Sequence, residues 1–263
     1  MRAIRALIGS VLLCVAVQAR GQSVAFLVPD AFAAPVGGDL TLSVQRQSAS
    51  GIAPAPWPAN LRWFFVRVCG TQENRDQQGP SWRLAKAGVT MIGLDIIPTI
   101  TTFPADQFAQ YIAGVNSVRA PGTRARAGEV RVRRFEAAKT LVTAQAEGEP
   151  GYDPPTATSK AGQQAEIRPL FDPTTAAPGS DVPLRAFAAG DSREGCKVIA
   201  THIASGRRET ITTDAKGIGL LRNIQPGEWR VEFAYAVQLT NDPQADWNLW
   251  TTTLTFQVQE VPQ

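Results

Sequence analysis

The sequence predicts a mainly β protein built from two antiparallel β-sandwich domains, with one short helix in the first. Two patterns in the C-terminal hundred residues carry the prediction. In 228–239, Trp229, Val231, Phe233 and Tyr235 fall on one face, and in 249–258 Leu254, Phe256 and Val258 share a face. A period of two marks half-buried antiparallel strands. Turn residues then punctuate the run: DAKG at 214–217 opens a strand over 217–224, QPG at 225–227 turns the chain, and a polar loop spans 241–246. With further strands predicted at 166–171, 182–188, 197–203 and 209–213, seven short strands fall in about a hundred residues, the signature of a sandwich.

The N-terminus reads as an export signal. Arg2 and Arg5 precede an apolar run over 6–17, and Ala19-Arg-Gly21 places cleavage after Gly21. The run is too short to span a bilayer. Leu13 before Cys14 is not the small residue of a lipoprotein signal, so the expectation is a periplasmic protein with no transmembrane segment after cleavage. Cleavage also changes the charge. The whole chain carries 26 basic and 23 acidic residues, and Arg2, Arg5 and Arg20 leave with the signal, so the mature chain balances at 23 against 23. Such a balance gives no reason to invoke nucleic acid.

The expected organisation is a signal peptide (1–21), an N-terminal β-rich domain (22–145), a linker or exposed loop (146–163) and a C-terminal seven-stranded sandwich (164–263). In the first domain, strands are predicted at 25–28 and 40–45, on either side of PVGG at 35–38. Three prolines in 51–58 exclude a central strand there. The strand over 61–68 is apolar on both faces, which places it centrally. Residues 70–81 read as a polar loop, and 82–84 and 89–94 as short strands. The helix is predicted over 103–114: Pro104 suits the first turn, Asp106 the positive end and Gly114 the exit, with Phe108, Tyr111, Ile112 and Val115 on one apolar face. A strand over 139–144 closes the domain. The stretch 146–163, rich in Gly, Pro, Ser and Thr, has little to bury.

Candidate sites are few. Cys69 and Cys196 survive cleavage; in an oxidising compartment they read either as a disulfide clamping the two domains or as two separate buried thiols. Six arginines and one acid lie in 119–134; Arg131, Arg133 and Arg134 form either a solvated strand face or an anion or partner patch, since guanidinium pairs bidentately with phosphate and carboxylate. No aromatic interleaves with them, which argues against single-stranded nucleic acid. Trp247 and Trp250 read as a binding platform or as closure of the sandwich end. His202, the one histidine, reads as packed in its strand or as a metal ligand. One histidine and two distant cysteines do not make a zinc site, and Asn241, Asp242 and Asp246 offer too few oxygens for calcium. No serine lies in a Gly-x-Ser-x-Gly elbow, and no phosphate-binding glycine loop is present. The chain is expected not to be an enzyme; a hydrolase built on paired carboxylates is the weakest of the readings.

The succession GQQAEIRPLFDPTTAAPGSDVPLRAF, TTDAKGIG, PGEWRV and ADWNLWTTTLTFQV resembles the C-terminal module of a bacterial periplasmic family of unknown function, some of whose members are described as nickel or cobalt uptake accessory proteins. FPADQFAQYIAGV and AAKTLVTA sit where that family has its helix and return strand. The C-terminal module is also similar to carboxypeptidase-regulatory or transthyretin-like sandwiches, so the resemblance implies Ig-like or prealbumin-like domains. It implies a divalent metal such as nickel or cobalt as cofactor and an envelope transporter or other envelope protein as partner. The family's histidine at the mature N-terminus is absent here, where the chain reads QSVAFLV at 22–28. The expected function is a non-catalytic exported binding or accessory protein of the cell envelope, with a structural or protein- or glycan-interaction module as the alternative.

Overall fold

The computed structural model describes residues 24–48, 51–74, 79–115, 128–146 and 155–260. The first half contains strands β1 (Val24–Pro29), β2 (Ala33–Pro35), β3 (Asp39–Ser48), β4 (Gly51–Ala55), β5 (Leu61–Val68), β6 (Thr71–Asn74), β7 (Ser81–Arg83), β8 (Gly88–Ile96), β9 (Thr99–Pro104), helix α1 (Ala105–Val115) and β10 (Glu129–Gln145). The second contains β11 (Ala165–Pro169), β12 (Val182–Ala188), β13 (Asp191–Ser192), β14 (Lys197–His202), β15 (Arg208–Thr212), β16 (Ile218–Leu221), β17 (Gly227–Gln238) and β18 (Trp247–Val258). The protein is mainly β, with one helix among the described residues, as its alternation and turn chemistry require.

Both halves feed one large central sheet, in the order β15-β14-β17-β18-β10-β8-β5-β6, with β2 and β9 also pairing on β10. The seam between the halves is a parallel pairing of β10 with β18, from Val132↔Trp247 to Thr140↔Thr255. A second sheet, β1-β3-β4 with β7, covers one face, and a third, β11-β12-β13 with β16, covers the other. The result is two sandwiches that share their middle layer. Alternation sorts the side chains between two cores. Phe65, Met91, Leu141, Trp229, Val231, Phe233, Leu254 and Phe256 pack with Ile167, Leu184 and Leu221 of the third sheet. Phe64, Val66, Ile92, Leu94, Ala138 and Val142 pack with Leu27, Leu40 and Leu42 of the second. Coverage on both faces explains why β5 is apolar on both sides at Phe64, Phe65 and Val66.

The same coverage explains the threonine run of β18. Thr253 and Thr255 are buried on the face that β1 crosses, and their hydroxyls donate to the carbonyls of Ala25 at 2.7 Å and Leu27 at 2.6 Å. A buried hydroxyl is tolerated where it satisfies backbone that would otherwise lack a partner. Helix α1 starts after Pro104 and buries Phe108 and Ile112, with Tyr111 and Val115 packed beside them, against Val130, Val132, Ala234, Ala236, Trp247 and Leu249.

Several expectations need correction. Residues 129–145 form one 17-residue strand rather than a basic segment followed by a separate return strand. The polar stretch 70–81 contributes β6, an edge strand paired to β5, and β9 arises from a threonine-rich segment with no strong alternation. Within the stretch expected to be a linker or exposed loop, residues 155–163 form a strap packed along β5, β8 and β10: Thr156, Ala157, Ala161 and Gln163 are all buried. Polar contacts hold the strap down. The Gly70 N–H donates to Thr156 Oγ1 at 3.1 Å, Arg67 Nη2 to the Lys160 carbonyl at 3.3 Å, and Arg168 Nε to the Thr158 carbonyl at 2.6 Å. The signal segment lies outside the described residues.

The Cys69–Cys196 disulfide is not formed; both are free thiols. Cys69 follows β5 and Cys196 precedes β14, and five strand-to-strand steps separate those two strands in the central sheet. At the usual spacing that is about 24 Å, far beyond the Cα separation of about 7 Å that a disulfide spans. Burial pushes the Cys196 thiol up to about 11.

Candidate functional site

His202 is not presented to a ligand. Its Nε2 lies 2.8 Å from the carbonyl of Pro226 and its Nδ1 2.8 Å from Ser205 Oγ, and the ring packs on Trp229 with centroids 5.0 Å apart. A carbonyl only accepts, so Nε2 carries the proton and Nδ1 accepts from the serine hydroxyl. Gly227 makes this approach possible: a Cβ there would lie 2.7 Å from Nε2. Both nitrogens are used by the fold, which corrects the metal-ligand reading. Among the described residues no group of three or more His, Cys, Asp or Glu could hold a metal ion.

The arginine patch is neutralised from within. Arg131 pairs with Asp246 at 3.3 Å and also donates to the Pro243 carbonyl at 2.7 Å. Arg133 grips Asp242 through both terminal nitrogens, at 2.8 and 3.2 Å, and Arg134 pairs with Glu136 at 2.7 Å. The hydrogen bonds from Arg133 and from the Gln244 and Ala245 N–H groups push the Asp242 carboxyl down to about 2. Two of these arginines therefore fasten the loop between β17 and β18, the loop first considered for calcium. Carboxylates of the chain already occupy the forks of Arg131 and Arg133, and an anion bound there would have to displace them.

The tryptophan platform is also taken apart. Positions 247 and 250 differ by three, so in a strand they face opposite ways. Trp247 is buried under α1, edge-on to Phe108 at 5.5 Å. Trp250 lies on the other face, stacked on Phe135 with centroids 5.1 Å apart and planes 11° apart, with Tyr235 at 6.2 Å. Arg193 caps the far end of this row, 4.6 Å above the Tyr235 ring.

Beyond the ring row the third sheet no longer covers the central one. Register places Val237 opposite Asn248, Asn248 opposite Arg133, and Arg133 opposite Ile100, one row across β17, β18, β10 and β9. Partners in register share a face, and it is the face opposite α1, because the alternate residues Ala236 and Val132 are buried beneath the helix. Ile100 is 46% and Val237 36% exposed, and Ile97 just before β9 is 49% exposed. This strip, apolar at its ends and polar at its centre, is the candidate interaction surface. Alternation assigns Arg133 and Trp250 to one face; their cross-strand neighbours follow only from pairing.

A second feature was not read from the sequence. Lys139 and Glu166, both fully buried, meet at 2.8 Å across the layers. Glu166 also accepts from the N–H groups of Ala161 at 2.8 Å and Gly162 at 3.1 Å. Burial alone would raise its carboxyl, but the Lys139 charge and these donors outweigh it and hold the group below the usual range. Burial lowers Lys139, and Glu166 opposes that shift. Beside them Gln163 donates to Asp95 Oδ1 at 3.0 Å. Asp95 is pushed up to about 6, chiefly by burial, against the hydrogen bonds from Gln163 and Gln164 and the Arg62 charge.

The fold and surface define a class: a mainly β protein of two sandwiches on a shared sheet, with exposed apolar residues at one end of that sheet. The chain belongs to a family described as a domain of unknown function, DUF4198, which matches residues 73–237. No curated protein matches it. Solved structures with some likeness include murine CEACAM1b, at 12% identity over 91% of this chain and 100% of that one, with a TM-score of 0.22. The D0-D1 domain of intimin matches at 12% identity over 89% of this chain and 97% of that one, with a TM-score of 0.19. Three N-terminal domains of the bacteriophage RB49 outer capsid protein Hoc match at 10% identity over 91% and 100%, with a TM-score of 0.22. Among the described residues no helix is long and apolar enough to cross a membrane.

Proposed function

We propose that this protein is a non-catalytic, exported binding module of the cell envelope that docks a protein partner on the uncovered end of its central sheet. The observation that carries the reading is the row Val237–Asn248–Arg133–Ile100, whose apolar ends are exposed while its polar centre is braced by Asp242. Exposed apolar residues beside a fixed charge are the usual makings of a recognition patch, because desolvation drives association while the polar groups set register. The partner is an envelope protein, in keeping with the export signal read at the N-terminus. Among the described residues no cluster of ligands supports the nickel or cobalt role implied by the resemblance, and both nitrogens of His202 are used internally.

Photo-cross-linking in cells tests the proposal, with a photoreactive residue placed singly at 100, 237 and, as a control on the third sheet, 220, where Leu220 is also exposed. Positions 100 and 237 are expected to trap one shared adduct that 220 does not. Equal trapping at all three, or trapping at 220 alone, would overturn the assignment.

A further inference from the structure

We propose that Lys139 and Glu166 condense to an intramolecular isopeptide bond, which ties β10 of the central sheet to β11 of the third. The two reacting groups already share a hydrogen bond: Lys139 Nζ lies 2.8 Å from Glu166 Oε1, one atom from the carbon it would attack, and both side chains are 0% exposed. Well-oriented groups held together reach effective molarities of about 10⁵–10⁸ M, which favours within the fold a condensation that fails in solution. Water, which opposes condensation, is kept from the pair by its full burial. The strap residue Ala161 lies on Glu166, and Phe65, Met91 and Leu141 belong to the core on the same side of the central sheet.

The surroundings act on both groups: they favour the amine of Lys139, and they hold Glu166 as its carboxylate with backbone donors on its oxygens. Burial, together with the charges of Arg168 and Arg67, works against the ammonium form of Lys139. The Ala161 and Gly162 N–H groups, one on each oxygen of Glu166, are placed to stabilise charge on a tetrahedral intermediate at that carbon. The ion pair is the resting form. A proton passes from the Lys139 ammonium to Oε1 through their hydrogen bond, giving amine and carboxylic acid with no change in total charge. The lone pair on Nζ attacks Cδ and the C–N bond forms. The C–O bond then breaks, and the hydroxyl leaves as water with one of the nitrogen's protons. Ammonium and carboxylate have become amide and one water, and no oxidant or activated donor is needed. The product also replaces two buried charges by one neutral group, removing their desolvation cost.

The bond would supply what the cysteines do not. Cys69 and Cys196 are free, and the amide would join the two halves across the layers instead.

The test is the intact mass of the protein purified from cells that export it. The expected mass is one water below that of the mature sequence, with a branched peptide joining Lys139 to Glu166 in the digest. Cyclisation of an N-terminal glutamine removes ammonia rather than water, so it is distinguishable. Lys139→Met should return the chain to full mass and slow its migration on a denaturing gel. If that variant does not fold, the digest of the unaltered protein decides alone. Full mass with Lys139 and Glu166 recovered in separate linear peptides would overturn the proposal, as would a water loss mapped to any other pair.

Discussion

The side-chain amide of Gln163 donates to the backbone carbonyl of Ala138 at 3.3 Å, in a gap where β8 and β10 have stopped pairing. Their ladder ends at Leu141↔Met91, and the same register continued would set Ala138 opposite Leu94. Gln163 Nε2 takes up both carbonyls, Leu94 at 3.0 Å and Ala138 at 3.3 Å, along with Asp95 Oδ1 at 3.0 Å. A residue of the strap thus completes the central sheet.

Gln163→Leu keeps the volume and removes the donors, leaving two buried carbonyls and a carboxyl without this partner. Unfolding free energy should fall by about 1–3 kcal/mol. Denaturant unfolding measures it, and hydrogen exchange should speed up selectively in β8 and β10. An unchanged midpoint would show that water replaces the amide.

Asp95 should make stability depend on pH. Burial pushes its carboxyl up from 3.8 to about 6 in the folded protein, so the folded state binds this proton more tightly than the unfolded chain. Its contribution is therefore greatest below pH about 4, is lost as pH rises, and is gone above about 6. Two units correspond to about 3 kcal/mol, an upper figure because Arg62, half in solvent, stands 4.0 Å away. Asp95→Asn should flatten that fall in urea unfolding measured across the range. A slope identical to the unaltered protein would remove Asp95 as its source.

Trp247 and Trp250 should behave as independent core residues. Trp247→Phe and Trp250→Phe are each expected to cost about 1–3 kcal/mol. Because they sit in cores on opposite faces of β18, the double variant should equal the sum to within about 0.5 kcal/mol. A larger coupling would mean the two rings act as one unit.

His202→Ala should destabilise the fold by about 1–3 kcal/mol, since it leaves the Pro226 carbonyl without its donor. Calorimetric titration with nickel or cobalt should give the same result for variant and unaltered protein. Tight binding lost in the variant would restore His202 as a ligand.

Much of this protein was legible in the chain itself. The alternation at Trp229–Tyr235 and Leu254–Val258 required strands with one apolar face, and the period of Phe108, Ile112 and Val115 required a helix, because those spacings have one backbone solution each. The same alternation placed Val130 and Val132 opposite Arg131 and Arg133, as observed. Sequence also offered packed alternatives for His202, Trp247 and Trp250, and the neighbours of each side chain decided between them. What only the tertiary structure determined is every relation that crosses the chain at long range. The parallel seam of β10 on β18, the burial of the strap and the meeting of Lys139 with Glu166 depend on which strands lie side by side. Local periodicity sets the face a residue points to; the partner it meets there is set by packing the layers together.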